Sequence, residues 1–379
     1  MENSIETDIA IAGGGLAGLS AAIVLARRGY RVLVVEKNQY PFHRVCGEYV
    51  SEESRPFLQA LGLDFPAEQY PQIRSLQLSS PRGLLLSAPL NPGGFGISRY
   101  RLDALLADQA RAAGVQLLES QKVDQLQFVN GKHRLLAGGL QIESKLALGC
   151  FGKRSNLDLK FDRSFVRNKP GKLGNYIAVK YHVRYQQPPS VIALHNFEQG
   201  YCGISAVEGN RYCLCYLTVA ENIRRSNNNI RAMELDILAK NPFLRQLWEE
   251  ADFGEHAPVS ISQVSFARKS TCEDHVLMLG DAAGLITPLC GNGMSIAFHS
   301  AKIAGALVHS FLQGMISRDA MEQQYCRQWQ ARFGRRLQAG RYIQYFFGNA
   351  WWSDLLVRAG KQSPILTRFL IKQTHGETF

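Results

Sequence analysis

Two short stretches of the chain carry residue types and spacings suited to chemistry. Gly13, Gly15 and Gly18 form a G-x-G-x-x-G pattern, directly after an apolar run at 8–12 and before a run rich in Ala and Leu. In such a pattern the first glycine permits a tight turn, the second lets a pyrophosphate approach the backbone, and the third lets helix and strand pack closely. The phosphates then sit at the positive end of the helix that follows. Glu36 lies eighteen residues past Gly18, at the end of a second apolar run, where a carboxylate accepts hydrogen bonds from ribose hydroxyls. A lone glycine pattern also occurs as a plain turn in α/β domains; the flanking strand, helix and acid favour a dinucleotide. The second stretch is Gly280-Asp281-Ala282-Ala283-Gly284, followed by Pro288 and Gly291-Asn292-Gly293-Met294. A carboxylate at Asp281 suits the hydroxyls of a ribityl chain. Free N–H groups at the start of a helix at Gly293 suit the negative charge that grows on the N1/C2=O edge of a reduced flavin. Roughly 260 residues after the glycine pattern, this second signal points to FAD.

Positioning these groups requires a β-α-β unit at the start: a strand at 8–12, a helix at 19–28 stopped by Gly29, and a strand at 31–35. Residues 40–62 mix loop and helix. Residues 72–88 alternate like a half-exposed sheet, 101–113 read as an amphipathic helix and 115–118 as a strand. Residues 123–142 read as a meander with turns at Asn130-Gly131 and Gly138-Gly139, and 146–149 as a buried strand. Residues 176–219 are strand-rich with a turn at Glu208-Gly209-Asn210, 230–250 are helical with a break at Pro242, 276–279 form a strand, and 293–312 a long helix. The expected class is α/β: a Rossmann-like FAD-binding domain with an inserted antiparallel-sheet substrate domain and a C-terminal helical cap. The expected boundaries are 1–70, 96–170 and 268–315 for the flavin domain, 71–95 and 171–267 for the substrate domain, and 316–379 for the helical region.

At 379 residues, 46% hydrophobic and 20% charged, the chain is an ordinary globular one with ample core. Its net charge of +11 invites a nucleic-acid reading, but residues 318–379 hold ten Lys/Arg against four Asp/Glu and so carry over half of the excess. No nucleic-acid motif accompanies the charge, and nucleic acid is not an expected partner. The eight cysteines are scattered without metal-like spacing, so no metal site is expected and reduced thiols in the cytoplasm are. The start is polar and acidic, unlike a signal peptide. The longest uncharged stretch, 282–301, is broken by Gly, Pro and Asn and is not read as a membrane span.

The two end motifs, in this order, resemble the flavoprotein superfamily of para-hydroxybenzoate hydroxylase and geranylgeranyl reductase over roughly residues 5–310. The resemblance implies that Gly13, Gly15, Leu16, Ala17, Gly18, Glu36, Arg44, Arg99 (in Ile97-Ser98-Arg99), Gly280, Asp281, Pro288, Gly291, Asn292, Gly293 and Met294 line FAD. The superfamily's Gly-Ala-Asp-Gly-x-x-Ser motif matches Gly149 to Ser155 with Phe151 in place of the aspartate. That aspartate helps with both pyrophosphate and nicotinamide reductant, so the reductant is left between NAD(P)H and an electron-donor protein.

Arg44-Val45-Cys46-Gly47-Glu48 looks like the Cys-Gly region of the geranylgeranyl reductase branch, where the cysteine lies near the flavin. Cys46 is thus the one catalytic candidate, as a thiol that shapes the pocket or relays a proton; the other reading is a small packing residue. Gly284 after the Asp-Ala-Ala unit, and Ala297-Phe298-His299-Ser300-Ala301 in the helix beyond, lean toward the same branch. The branch's Tyr-x-Trp-x-Phe-Pro motif is not matched by Tyr201-Cys202-Gly203-Ile204-Ser205, so an isoprenoid substrate does not carry over. The Trp-x-Trp-x-Ile-Pro segment of flavin halogenases is missing, so halogenation is not expected. His43, His195 and His299 are read as surface or packing residues. The basic, aromatic tail is read as a helical cap on the flavin domain, the other reading being a lid resting on an anionic membrane. The expected function is an FAD-dependent oxidoreductase on a small apolar or aromatic substrate, a reductase or dehydrogenase. The alternatives are a monooxygenase using O2 and a reductant, and a non-catalytic flavin-binding scaffold.

Overall fold

Five strands form the parallel heart of one sheet, in the order Val276–Met278, Leu140–Gly149, Ser4–Ala12, Val32–Val35, Gln116–Leu118, the longer two being apolar in their second halves. Val32 to Val35 are all buried, as expected of a strand covered on both faces. The short strand Cys272–Glu273 closes one edge, and the hairpin of Val123–Val129 and Lys132–Ala137 pairs onto Leu140–Gly149. The buried strand expected at 146–149 is the end of that ten-residue strand. The computed structural model describes residues 4–167, 174–255, 257–286, 292–346, 348–365, 367–368, 371 and 376–379.

A second eight-stranded sheet runs Val259–Val264, Tyr176–Val183, Arg211–Val219, Gly200–Val207, Val191–Phe197, Gln72–Ser79, Leu85–Gly96, Tyr49–Ser51. It departs from the expected all-antiparallel sheet at one place: Val191–Phe197 pairs in parallel with Gln72–Ser79. Those two strands come from chain segments far apart in sequence, so no hairpin dictates their direction. The strand Tyr49–Ser51 lies in a region read as loop and helix, and Leu85–Gly96 extends eight residues past the expected end at 88.

The two faces of this second sheet differ. Val179, Val183, Ile204 and Tyr216 pack against Met233, Leu238, Leu244 and Trp248 of the helical stretch 230–250, which breaks before Pro242 as expected. On the opposite face Tyr176, Ala178, Tyr201, Leu217 and Val264 meet Val45 and Leu285, which belong to the flavin-side loops.

The helix Leu16–Ala26 buries Leu19, Ile23 and Leu25. Each such burial contributes about 1.5–3 kcal/mol, which outweighs the roughly 1 kcal/mol that Gly18 costs inside a helix. The long helix Gly293–Leu312 crosses it closely, so that a Cβ on Gly305 would come 2.7 Å from Val24 Cγ1. The 29-residue helix Arg318–Phe346 lays Met321, Tyr325, Trp329, Phe333 and Leu337 into the flavin-side core, and Tyr325 donates a hydrogen bond to the Met278 carbonyl at 2.7 Å. That spacing of four is one buried stripe, so this helix is the expected cap. Beyond it, Trp351 and Trp352 in Ala350–Gln362 are exposed. Among the described residues no helix is long and apolar enough to cross a membrane.

A side chain at Gly18 would overlap the Gly13 carbonyl, where helix and strand touch backbone to backbone. Gly18→Ala is expected to cost about 1–3 kcal/mol of stability through overpacking, read as a lower urea midpoint at an unchanged m-value. An unchanged midpoint would show that the close approach is not needed.

Candidate cofactor and substrate site

At the phosphate end, Gly15 caps the helix Leu16–Ala26 without any side-chain cap, and the first turn holds no acid. The N–H groups of that turn are thus free for an anion. Gly13 has φ 105°, and a Cβ there would sit 2.5 Å from the Cys150 carbonyl oxygen. Around Gly15, by contrast, the nearest atom to an added Cβ is Arg99 Nη2 at 4.0 Å. The opening in front of the helix is therefore faced by a guanidinium, which is the donor set a pyrophosphate needs.

Glu36 is buried and its carboxylate accepts from the Gly14 N–H and Arg44 Nη2 at 2.9 Å, and from the Asn38 N–H and Nδ2 at 3.1 Å. Arg44 also donates to Asp103 at 2.9 Å, while Arg99 grips the same Asp103 through Nε and Nη2 at 2.8 and 2.9 Å. Two guanidiniums and two carboxylates thus form one network beside the glycine loop. Burial works against the Arg99 charge, but Asp103 more than compensates and raises its pKa. Tyr40 donates to the Gly14 carbonyl.

Gly280, at φ 58°, turns the chain so that a Cβ would lie 3.3 Å from that of Ala17, which seats the Asp281 turn on the first helix. Carbonyls of this turn are held by two cations: the half-buried Lys269 donates through Nζ to Asp281 at 2.9 Å, and the buried Arg163 through Nη1 to Ala282 at 2.8 Å. Burial lowers the Lys269 ammonium to about 8 despite the nearby Asp158 and Asp281. The helix Gly293–Leu312 begins after Asn292 with no side-chain cap and no acid in its first turn; Met294 is buried within it. Pro288 and Gly291 lie outside the described residues.

Cys46 sits where the flavin side meets the second sheet, and its loop is fixed to that junction. Three successive carbonyls are taken by side chains: Val45 by Lys153 Nζ at 2.8 Å, Cys46 by Cys213 Sγ at 3.2 Å, and Gly47 by Ser205 Oγ at 3.1 Å. The Cys46 side chain lies close enough to the Arg99 guanidinium to act on its charge, behind Asp103. Next in sequence, Glu48 is fully buried at φ 56°. Its carboxylate accepts from Lys180 Nζ at 2.6 Å, His182 Nε2 at 2.5 Å and the Arg99 backbone N–H at 2.8 Å. Burial alone would raise the Glu48 carboxyl, yet the bond from His182 and the charge of Lys180 hold it at about 2. Burial likewise opposes the Lys180 charge, but Glu48 raises its pKa. Glu48, His182 and Cys213 place donor atoms within 4.8 Å of one another. With the Lys180 ammonium on the same carboxylate, this is an ion cluster rather than a cation site.

Gly13 to Gly18, Glu36, Arg44 and Arg99 are therefore neighbours around the N-terminus of the first helix. Lys180, His182, Asp103, Lys153, Arg163 and Lys269 were not singled out from sequence; only the alternation of Lys180 and His182 on one strand face could have signalled two of them. Of the histidines, His195 is buried, bonds Ser79 Oγ at 2.8 Å and stacks on Phe243, and His299 stacks on Phe379, so both are packing residues. His43 is exposed, and its ring lies 5.1 Å from that of His182 and 4.8 Å from that of Tyr100.

Residues 6–328 match the family described as FAD binding domain. The chain belongs to that family. FAD is accordingly its cofactor, and the protein is an FAD-dependent oxidoreductase. It is 23% identical to conditioned medium factor receptor 1 of Dictyostelium discoideum, over 89% of this chain and 70% of that one. It is 25% identical to digeranylgeranylglycerophospholipid reductase 2 of Methanothermobacter thermautotrophicus, over 87% of this chain and 85% of that one. Among solved structures, the flavin-dependent brominase Bmp2 superposes with a TM-score of 0.79 at 19% identity, covering 98% of this chain and 93% of that one. The fold is thus shared by reductases and halogenases alike.

Two outcomes follow from this geometry. Glu36→Ala removes the carboxylate that orders Gly14 and Arg44, and is expected to weaken FAD binding about 10–100-fold in a flavin-fluorescence titration of the apoprotein. Because the folded Glu48 carboxyl is depressed from 4.5 to about 2, its contribution to stability is complete above pH 4.5 and is lost as pH falls toward 2. Glu48→Gln should therefore melt lower than the parent at neutral pH, and the gap should narrow across that acid window.

Proposed function

We propose that the protein is a flavin-dependent reductase that adds two electrons and two protons across a double bond of an apolar organic substrate. The observation that carries this reading is the place of Cys46 between the flavin side and the second sheet, with its carbonyl held by Cys213 and its neighbour Val45 packed into an apolar cluster. Tyr176, Ala178, Tyr201 and Leu217 of the second sheet, with Val45 and Leu285, make up that cluster, and Leu194 and Cys215 pack beside it. Its charged end begins only at Lys180 and Glu48. FAD, when bound, supplies the two-electron transfer. The chain's own residues do the rest. Gly13 to Gly18, Arg44 and Arg99 would hold the pyrophosphate, and Glu36 the ribose. The uncapped helix start at Gly293 would stabilise negative charge on the reduced flavin, the apolar cluster would exclude water, and the Cys46 thiol would hand over a proton at Sγ.

The likeness to a digeranylgeranylglycerophospholipid reductase supports a reductase, though 25% identity does not transfer that substrate. The brominase likeness concerns the fold, and this chain has no Trp-x-Trp-x-Ile-Pro segment. Phe151, in place of the family aspartate, supports an electron-donor protein as the reductant rather than NAD(P)H.

Anaerobic mixing of the FAD-loaded protein with NADPH or NADH is expected to leave the visible flavin band in place, while dithionite or reduced ferredoxin bleaches it. Rapid bleaching by either nucleotide would refute the donor-protein reading. Substrate-dependent oxygen uptake with an oxygenated product would replace the reductase by a monooxygenase.

A further inference from the structure

We propose that the helix Ala350–Gln362 docks the protein on an anionic bilayer, lying along the surface with Trp351, Trp352 and Leu355 among the lipids and Arg358 and Lys361 at the headgroups. The inference stands apart from the reductase reading, since it uses no residue of the cofactor or substrate site.

The helix is held in one orientation. Its N-cap, Asn349, accepts the N–H groups of Trp351 and Trp352 at 3.1 and 3.3 Å. Just before it, Gly348 turns the chain at φ 81°, and its carbonyl accepts the Gln199 N–H at 3.0 Å, which ties this end to the second sheet. Ser353, Asp354, Val357 and Gly360 are buried. Asp354 receives Arg82 at 3.0 Å, and a Cβ on Gly360 would come 2.8 Å from Leu86 of the strand Leu85–Gly96.

At 3.6 residues per turn, Trp351, Leu355, Arg358 and Gln362 fall on the side away from these four, with Trp352 beside them. Trp351 is 60% exposed, Trp352 44% and Leu355 45%, and the two indole rings meet edge to face with centroids 4.6 Å apart. Ile365, just past the helix end, is 80% exposed. A single exposed leucine is ordinary, but three large apolar side chains together on one helix face are a patch.

Area and charge select a bilayer over a protein partner. The three side chains expose on the order of 300 Å², well under the roughly 800 Å² that each partner buries in a stable protein interface. The only acid between 350 and 368 is Asp354, which is buried, whereas Arg358, Lys361 and Arg368 are exposed. Apolar and basic groups thus share this surface with no exposed acid among them, the combination that binds anionic lipid. An indole suits the headgroup level, because its ring is apolar and its N–H is a donor. At thirteen residues the helix is too short to cross, so it lies in the interface.

The test is co-sedimentation of the FAD-loaded full chain with mixed phosphatidylglycerol and phosphatidylcholine vesicles, against vesicles of phosphatidylcholine alone. Binding to the anionic vesicles is expected, with blue-shifted tryptophan emission, and binding to the neutral ones at least about tenfold weaker. Trp351→Ser combined with Trp352→Ser should weaken binding to anionic vesicles about tenfold or more, remove the blue shift and leave the flavin content unchanged. Arg358→Gln combined with Lys361→Gln should weaken it about tenfold and leave affinity for neutral vesicles as it was. No binding to anionic vesicles, equal binding to both kinds, or a tryptophan variant that binds like the parent would overturn the proposal. So would a parent that dimerises in light scattering beside a tryptophan variant that does not, since the face would then belong to a second copy. Should the tryptophan variant fail to hold FAD, Leu355→Ser decides: binding equal to the parent's refutes the proposal. No substrate or reductant enters the assay, so its failure and that of a reductase assay are separate results.

Discussion

The Glu48 carboxylate is the point on which the two sheets of this flavoprotein are joined. It takes Lys180 and His182 from the second sheet and the Arg99 N–H from the flavin side, all while its own backbone is at φ 56°. A left-handed non-glycine residue costs about 1–3 kcal/mol, whereas stripping one partner from a buried ion pair costs about 3–5 kcal/mol. The ion cluster therefore wins and holds the strained backbone in place. Lys153 on the flavin side takes the Val45 carbonyl, while Cys213 and Ser205 of the second sheet take those of Cys46 and Gly47, so the Cys46 loop is tied to both.

A different balance governs the phosphate end. Arg44 and Arg99 are matched by Glu36 and Asp103, so the network is neutral before any cofactor enters. This avoids uncompensated buried positive charge in the apoprotein. It also leaves guanidinium donors already oriented by Asp103 beside an open helix N-terminus, so an anion bound there would cost little side-chain entropy.

The parts legible in the sequence are those where backbone geometry dictates residue type. Gly13 and Gly18 stand where a Cβ would strike a carbonyl, and the helix Gly293–Leu312 has the bounds its sequence suggests. The capping helix was legible for a related reason, its apolar residues falling four apart. Other features leave no local trace. The strand Tyr49–Ser51 is too short to show a period, and Leu85–Gly96 carries Asn91-Pro92-Gly93-Gly94, which reads as a turn but forms an irregularity between the paired residues Pro89 and Gly94. Lys180 and His182 sit on a strand whose charged positions read as solvent-facing, and only Glu48, more than a hundred residues earlier, turns that face inward. Arg163 and Lys269 hold carbonyls of the Asp281 turn from distant loops, an arrangement no spacing rule encodes.

The same face of the second sheet changes character along its length. Tyr176, Ala178, Tyr201, Leu217 and Val264 are buried against Val45 and Leu285, and charge appears only where Lys180 meets Glu48. The apolar part supplies the attraction between the second sheet and the flavin-side loops, at about 25 cal/mol for each square ångström removed from water. The ion cluster adds little to that sum, because taking its charges out of water costs about what their pairing returns. What it adds is direction: Lys180 and His182 meet the Glu48 carboxylate in one geometry only, whereas apolar side chains would tolerate the sheet sliding over the loops.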